Sequence, residues 1–352
     1  MLWGGIWPMP ETLPTIFMDF LYLPLSPQPH CQAPGLADAH TTTQIKDWLR
    51  GRYEHAKTVF SELPSPEKIA RDAAPPEQIN AVLNTLTQRR FNHQSRSRLG
   101  SLLGLYRQKL AGHMAQGVPI PCFFLYNGGY RASPLAQQPL IFKPDQTELL
   151  LLYQIACLTE DICKIYPPGI HFFIIINNGV AYWVNEIALT STQAYAKGLN
   201  DMIEAMGAHE RVSVVLQSAM ATFDAQPSLP DVAPSPTLSE KDHRLVERFL
   251  GRPCSALEAR QRHALYAIAE AHWAQVLEPL VRVQGGLLFR QVASPQMLSF
   301  RPYPGGATRI QNGSIGFAFQ DKQPTPQLIT TETTGHHAIR CVPWTAPWMS
   351  SV

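Results

Sequence analysis

The sequence predicts an α/β protein built on a largely parallel sheet flanked by helices, and three observations predict it. Short apolar runs at 118–126, 170–176 and 211–216 have the length of buried strands. Two longer segments between them, 145–164 and 190–206, carry helical periodicity. The run 170–176 is apolar except for His171, as expected of a strand covered on both faces. Strand, helix, strand, helix, strand is the α/β order.

Taken in chain order, residues 1–44 form a Pro-rich apolar arm. It contains Glu11 and Asp19 and lacks a basic start, which argues against a signal peptide or a spanning helix. Residues 45–117 read as a helical region. Apolar residues recur with helical spacing from Ile45, Pro66-Glu67 and Pro76-Glu77 look like helix starts, and 98–117 is amphipathic. Residues 118–225 are the α/β core. There, Asp145 is read as an N-cap with Glu148 at the capping-box position, and Asn177-Asn178-Gly179 as a hairpin turn leading to a return strand at 180–184. Residues 226–240 are a Pro- and Ser-containing linker. Residues 241–352 form a smaller α+β subdomain: a capped helix at 239–251, a long one from Ala256 to about Glu278, then short strands near 287–290, 297–301 and 314–319.

Composition excludes several function classes. The 352 residues allow about two domains. With 45% hydrophobic and 16% charged residues the chain can bury a core. A net charge of +2 provides no electrostatic footprint for nucleic acid or an anionic membrane. The six cysteines form no CxxC pair and are expected as free thiols of a cytoplasmic protein. No HExxH, HxD or Cys/His pattern marks a metal site, and His263 and His272 fall on opposite helix faces. P-loop, complete GxGxxG and GxSxG motifs are absent.

Two loops stand out by their own chemistry. Asn127-Gly128-Gly129-Tyr130-Arg131 follows a buried strand. Glycines there allow close backbone approach to a ligand, and Arg131 has the geometry to grip a phosphate or carboxylate. The alternative is a tight turn with a surface arginine. Ligands of α/β sheets bind beyond the carboxyl ends of strands. The second loop is Asn177 to Gly179, with Asn185 and Glu186 beyond it; its alternative is a plain turn.

Pro144-Asp145, a long helix, and then Ile165-Tyr166-Pro167-Pro168-Gly169 resemble an ordered set of blocks in the isocyanide synthase family, also called the pyoverdine/dityrosine biosynthesis family. The apolar strand ending at Asn178-Gly179, the block 188–195, Leu298-Ser299-Phe300-Arg301-Pro302 and Pro343-Trp344-Thr345 continue the resemblance over roughly residues 100–350. It implies a Rossmann-like fold with a C-terminal subdomain that completes the site. It also implies conversion of the α-amino group of tyrosine or tryptophan to an isocyano group, with ribulose 5-phosphate as carbon donor and no cofactor, metal or nucleotide. An iron- and 2-oxoglutarate-dependent oxygenase is the implied downstream partner.

The chain departs from the family pattern at five polar positions. Arg131 stands for the family's loop lysine, Asn178 and Asn185 for two aspartates, Arg301 and Thr345 for two histidines. An arginine does not supply the neutral amine a Schiff base needs. The resemblance therefore points to Glu186, Asn185, Asn178 and Lys143 as the catalytic set. Gly129, Tyr130, Arg131, Arg301, Trp344 and Thr345 become the substrate-binding set. Two alternatives follow from the same departures: a different reaction at an amino-acid nitrogen, or a catalytically inactive homologue that binds a small molecule or a partner.

Overall fold

The computed structural model describes residues 19–21, 23–24, 34–36, 39–66, 75–92, 99–126, 144, 146–219, 238, 240, 243, 246–247, 253–265, 279, 285–290, 297–302, 317–318, 327–328 and 340–344. Near the N-terminus, β1 (Asp19–Leu21), β2 (Leu23–Pro24) and β3 (Pro34–Leu36) are short. Three helices follow: α1 (Ala39–Glu62), α2 (Pro76–Leu86) and α3 (Gly100–Gln116). α2 starts on Pro75-Pro76 with Glu77 in its first turn, where a missing N–H costs nothing and a carboxylate meets the positive helix end. α3 stops at Gly117, whose φ of 65° is the left-handed cap that glycine adopts without strain.

The central sheet contains β4 (Ile120–Tyr126), β5 (Ile170–Ile176), β6 (Val212–Leu216), β7 (Leu287–Arg290) and β8 (Leu298–Ser299). Its order is β6-β5-β4-β7-β8 and every neighbouring pair is parallel. The crossovers are α4 (Gln146–Ile165) between β4 and β5, and α6 (Leu189–Ala205) between β5 and β6. Both connections step the same way across the sheet, so right-handed crossovers put both helices on one face. The core confirms that placement. Ile120, Cys122, Phe124 and Tyr126 of β4 and Ile170, Phe172, Ile174 and Ile176 of β5 join one buried cluster with side chains of α1 to α4 and α6. The intervening Phe123, Leu125 and Ile175 join a smaller cluster on the opposite face. That alternation is the period-two geometry of a strand.

α4 lies inside this layer. Leu149 to Leu152, Ile155, Ala156, Leu158, Thr159 and Ile162 are buried around its circumference, as expected of a helix held between a sheet and outer helices. Across the sheet, Phe124, Phe172 and Phe289 from three strands, with Phe300 just after β8, touch ring to ring. Each fully buried Leu or Phe contributes roughly 2 kcal/mol of transfer free energy.

A second sheet, in order β1-β11-β3-β2, joins the first strands to β11 (Arg340–Trp344), which pairs antiparallel with β1 and parallel with β3. β9 (Phe317–Ala318) and β10 (Gln327–Leu328) form a separate antiparallel pair. Among the described residues, no helix is long and apolar enough to cross a membrane.

One expectation is overturned. Residues 180–184 are not a return strand; they lie in α5 (Asn178–Asn185). A hairpin return would pair antiparallel beside β5, but β4 and β6 already occupy both of its edges. The chain leaves the sheet instead as a helix whose Val180 and Val184, one turn apart, pack with Leu265. The Asn-Gly pair starts a helix here because Gln217, at the tip of the neighbouring strand, accepts hydrogen bonds from the N–H groups of Gly179 and Val180 at 3.0 and 3.2 Å.

Candidate functional site at the carboxyl edge of the sheet

All five parallel strands end on one edge. The strand order changes direction between β4 and β7: β4 leads to β5 on one side, while β7 sits on the other. Such a switch point is where open α/β sheets bind ligands. The loop carrying Gly129, Tyr130 and Arg131 departs in sequence from Tyr126, the last residue of β4, and itself lies outside the described residues.

Polar side chains concentrate along this edge. Asn178 is fully buried. Its Nδ2 donates to Ser218 Oγ at 2.7 Å and its Oδ1 accepts from the Ser218 N–H at 2.9 Å. Ser218 sits in a 3-10 turn (Gln217–Ala219) that follows β6, so the pair ties two strand tips together. Gln217 is also fully buried and spends its Oε1 on the start of α5. Its Nε2 has no hydrogen-bond partner among the described residues. A donor left so inside a protein costs about 1–3 kcal/mol and calls for an explanation.

Beside them lies a buried carboxylate. Glu148, in the first turn of α4, is fully buried and its Oε1 accepts from the hydroxyls of Tyr126 and Tyr195 at 2.7 and 2.8 Å. Tyr126 ends β4 and Tyr195 belongs to α6, so three elements converge on one oxygen. The Asn177 N–H donates to the Tyr126 carbonyl at 3.4 Å, which joins this group to the β5 tip.

Farther along the chain, Glu186 caps α5 in a left-handed conformation, with φ of 58°. Its carboxylate pairs with Arg262 Nη2. Arg262 is buried, donates from Nη1 to the Val184 carbonyl at 2.8 Å, and lies 3.4 Å from Glu258. A buried guanidinium needs such partners, and they bind the helix at 256–265 to α5.

With this geometry in place, comparison with solved structures finds a counterpart. The chain is similar in structure to PvcA from Pseudomonas aeruginosa. The match has a TM-score of 0.55 at 16% sequence identity and covers 76% of this chain and all of PvcA. At that identity it establishes a shared fold. No family model matches the sequence, and no curated protein does.

The sequence-predicted residues fall into four groups. Asn178 and Arg301 both follow carboxyl ends of parallel strands and so share one edge. They are three strand steps apart, about 14 Å at the usual spacing. Arg301 Nε donates to the Asn92 carbonyl at 3.1 Å, and desolvation, then nearby Arg89, holds its pKa below the ordinary arginine range. Asn185 is the last residue of α5 and Glu186 its cap, the carboxylate engaged by Arg262. Trp344 ends β11, in the second sheet rather than the parallel one. Gly129, Tyr130, Arg131, Lys143 and Thr345 lie outside the described residues. Glu148, Tyr126, Tyr195, Gln217 and Ser218 complete the edge. Glu148 carried a sequence signal as a capping residue, but nothing in the sequence says that its oxygen faces two tyrosines from elements 22 and 47 residues away.

Proposed function

We propose that the chain is an isocyanide synthase-like biosynthetic enzyme. It would act on the α-amino nitrogen of an amino acid of the tyrosine or tryptophan type, with a pentulose phosphate such as ribulose 5-phosphate as carbon donor. The observation that carries this reading is the coincidence of two things. The fold matches PvcA over that protein's full length, and the blocks resembling the isocyanide synthases fall in family order along the same fold, with Asn178 and Arg301 on the carboxyl edge of the sheet, the edge where α/β folds generally bind ligands.

In this reading Arg131 and Arg301 hold the phosphate and carboxylate, with Gly129 permitting close approach and Tyr130, Trp344 and Thr345 lining the pocket. Asn178, Asn185, Glu186 and Lys143 make up the catalytic set, and the Gln217 amide offers a donor for a sugar oxygen. Condensing an amine with a ketone loses water, and the departing oxygen needs a proton. In this reading that proton comes from Glu186, Lys143 or Tyr130, while the fully buried Tyr126–Glu148–Tyr195 group holds the β4 tip in place. Incubation with tyrosine or tryptophan and ribulose 5-phosphate tests the reading. The expected product is an isonitrile, seen by mass and by its infrared stretch. No isonitrile from any amino acid would overturn the reaction.

A second reading is favoured by the Arg262 pair on Glu186. With that carboxylate engaged and arginine in place of the loop lysine, the scaffold runs a different reaction at an amino-acid nitrogen, or only binds its ligand. Binding by calorimetry without turnover would establish the inactive form, and a Glu186→Ala change that abolished a measured activity would exclude it.

A further inference from the structure

Away from the strand edge, three side chains of different chemistry meet between two helical segments. His243 and Glu247 are one helical turn apart, and Cys254 follows just before the helix at 256–265. One ligand atom from each lies within 4.8 Å of the others. His243 Nε2 is 3.6 Å from Glu247 Oε1. The three side chains are half-buried and Cys254 forms no disulfide.

We propose that His243, Glu247 and Cys254 bind a divalent transition metal, zinc being the natural occupant. The ion would staple the helical segment around 240–247 to the helix at 256–265. A tetrahedral zinc ion with bonds of about 2.0–2.3 Å keeps its ligands roughly 3.4–3.7 Å apart. The His243–Glu247 separation of 3.6 Å already falls in that range, and the sulfur, within 4.8 Å of both, has up to about 1 Å to close. A thiolate and an imidazole select zinc over magnesium or calcium, and three protein ligands leave the fourth position to water.

The Cys254 N–H donates to Glu247 Oε1 at 3.2 Å, and His243 Nε2 lies 3.0 Å from the Cys254 carbonyl. These bonds engage the main chain of Cys254, and the same approach brings its thiol within 4.8 Å of the imidazole and the carboxylate. On metal binding the thiol proton goes to solvent. Nε2 gives up the proton it donates to the Cys254 carbonyl, the ring takes the tautomer protonated on Nδ1, and the lone pair freed on Nε2 binds the ion. The Arg262 side chain that engages Glu186 stands on the same helix at 256–265, so the staple would fix the outer wall of α5 as well.

Cobalt titration of the tag-free full chain, after dialysis against a chelator, tests the site. One equivalent of Co2+ should give a sulfur-to-cobalt charge-transfer band in the near ultraviolet and the intense visible bands of a tetrahedral ion, both erased by one equivalent of Zn2+. Cys254→Ser should remove the near-ultraviolet band. His243→Ala should weaken Zn2+ binding at least about tenfold, a range that changes even one shell further out produce. Glu247→Gln keeps the acceptor for the Cys254 N–H, so it preserves the cap while it too weakens the metal. Circular dichroism of each variant separates lost ligation from lost folding. No cobalt spectrum in the parent chain, or an undiminished one in a folded Cys254→Ser variant, would overturn the proposal. The outcome does not depend on whether the chain makes an isonitrile.

Discussion

The two edges of the parallel sheet are built from similar residue types and put them to different use. At the amino edge, Arg211 is buried, and its guanidinium donates to the carbonyls of Pro168 and Pro64. Its own carbonyl accepts from Phe172, and the Tyr166 hydroxyl donates to Val118 at 2.6 Å. The polar groups there close the turns between elements. At the carboxyl edge, Gln217 keeps a buried amide without a partner among the described residues, and Asn178 and Glu148 gather donors from separate strands and helices. The difference teaches that a buried polar residue is not by itself a functional signal. Arg211 is buried like Asn178, yet its capacity is spent on the fold, whereas Gln217 at the other edge keeps an amide donor without a partner among the described residues.

The largest expected effect breaks the amino edge alone. Arg211→Leu leaves two carbonyls without their charged donor and should lower the unfolding free energy by about 3 kcal/mol in urea denaturation, while ligand affinity stays the same. Asn178→Ala removes both bonds to Ser218 and should cost about 2 kcal/mol by the same measurement; here ligand affinity should fall too, followed by calorimetry. Loss of affinity in Arg211→Leu, or its retention in Asn178→Ala, would erase the contrast between the edges. Glu186→Ala has a smaller expected effect than either. Glu258 and the Val184 carbonyl still hold Arg262, and the carboxylate is half-exposed, so a loss of about 1 kcal/mol in thermal or urea melting is expected.

pH sharpens the comparison further. His171, near the amino edge, lies 2.8 Å from Ser213 Oγ, and desolvation holds its pKa below the ordinary histidine value of 6.5. Its folded form therefore resists a proton that the unfolded chain accepts. Stability contributed by the neutral ring is present above pH 6.5 and declines as pH falls from there toward the depressed folded value. His171→Gln should flatten that part of the stability–pH curve. The smallest effect belongs to surface pairs: Lys197→Ala, which removes the ion pair to Asp201 at 2.9 Å, should change stability by less than about 0.5 kcal/mol in melting experiments.

What was legible in the sequence follows from where its information lies. The runs 120–126, 170–176 and 212–216 announce themselves because apolar strands covered on both faces need no partner to be recognised. The periodic stretch from Gln146 to Ile165 is long enough to leave no ambiguity. The segment 178–185 misleads because Asn-Gly before a short apolar run is also the signature of a hairpin, and what decides between them is Gln217, an acceptor 38 residues away. Asn178 could be singled out because its Asn-Gly pair follows an apolar strand, although it starts α5 rather than a turn. Glu148, Tyr126 and Tyr195 could not be united from sequence, since only the parallel register and the packing of α4 on α6 bring them to one oxygen. The cluster of His243, Glu247 and Cys254 escaped for the same reason: its spacing matches no metal motif, and the turn before 256–265 closes it.

On the proposed function, ligands bind across the carboxyl tips of the parallel sheet, on both sides of the switch point between β4 and β7. Amide hydrogen exchange with and without ribulose 5-phosphate and tyrosine tests it most directly. Protection is expected at 126–131, 177–180 and 216–219, with residues 166–172 and 208–213 at the opposite edge unchanged. Protection confined to that opposite edge, or none at the strand tips under saturating ligand, would contradict it.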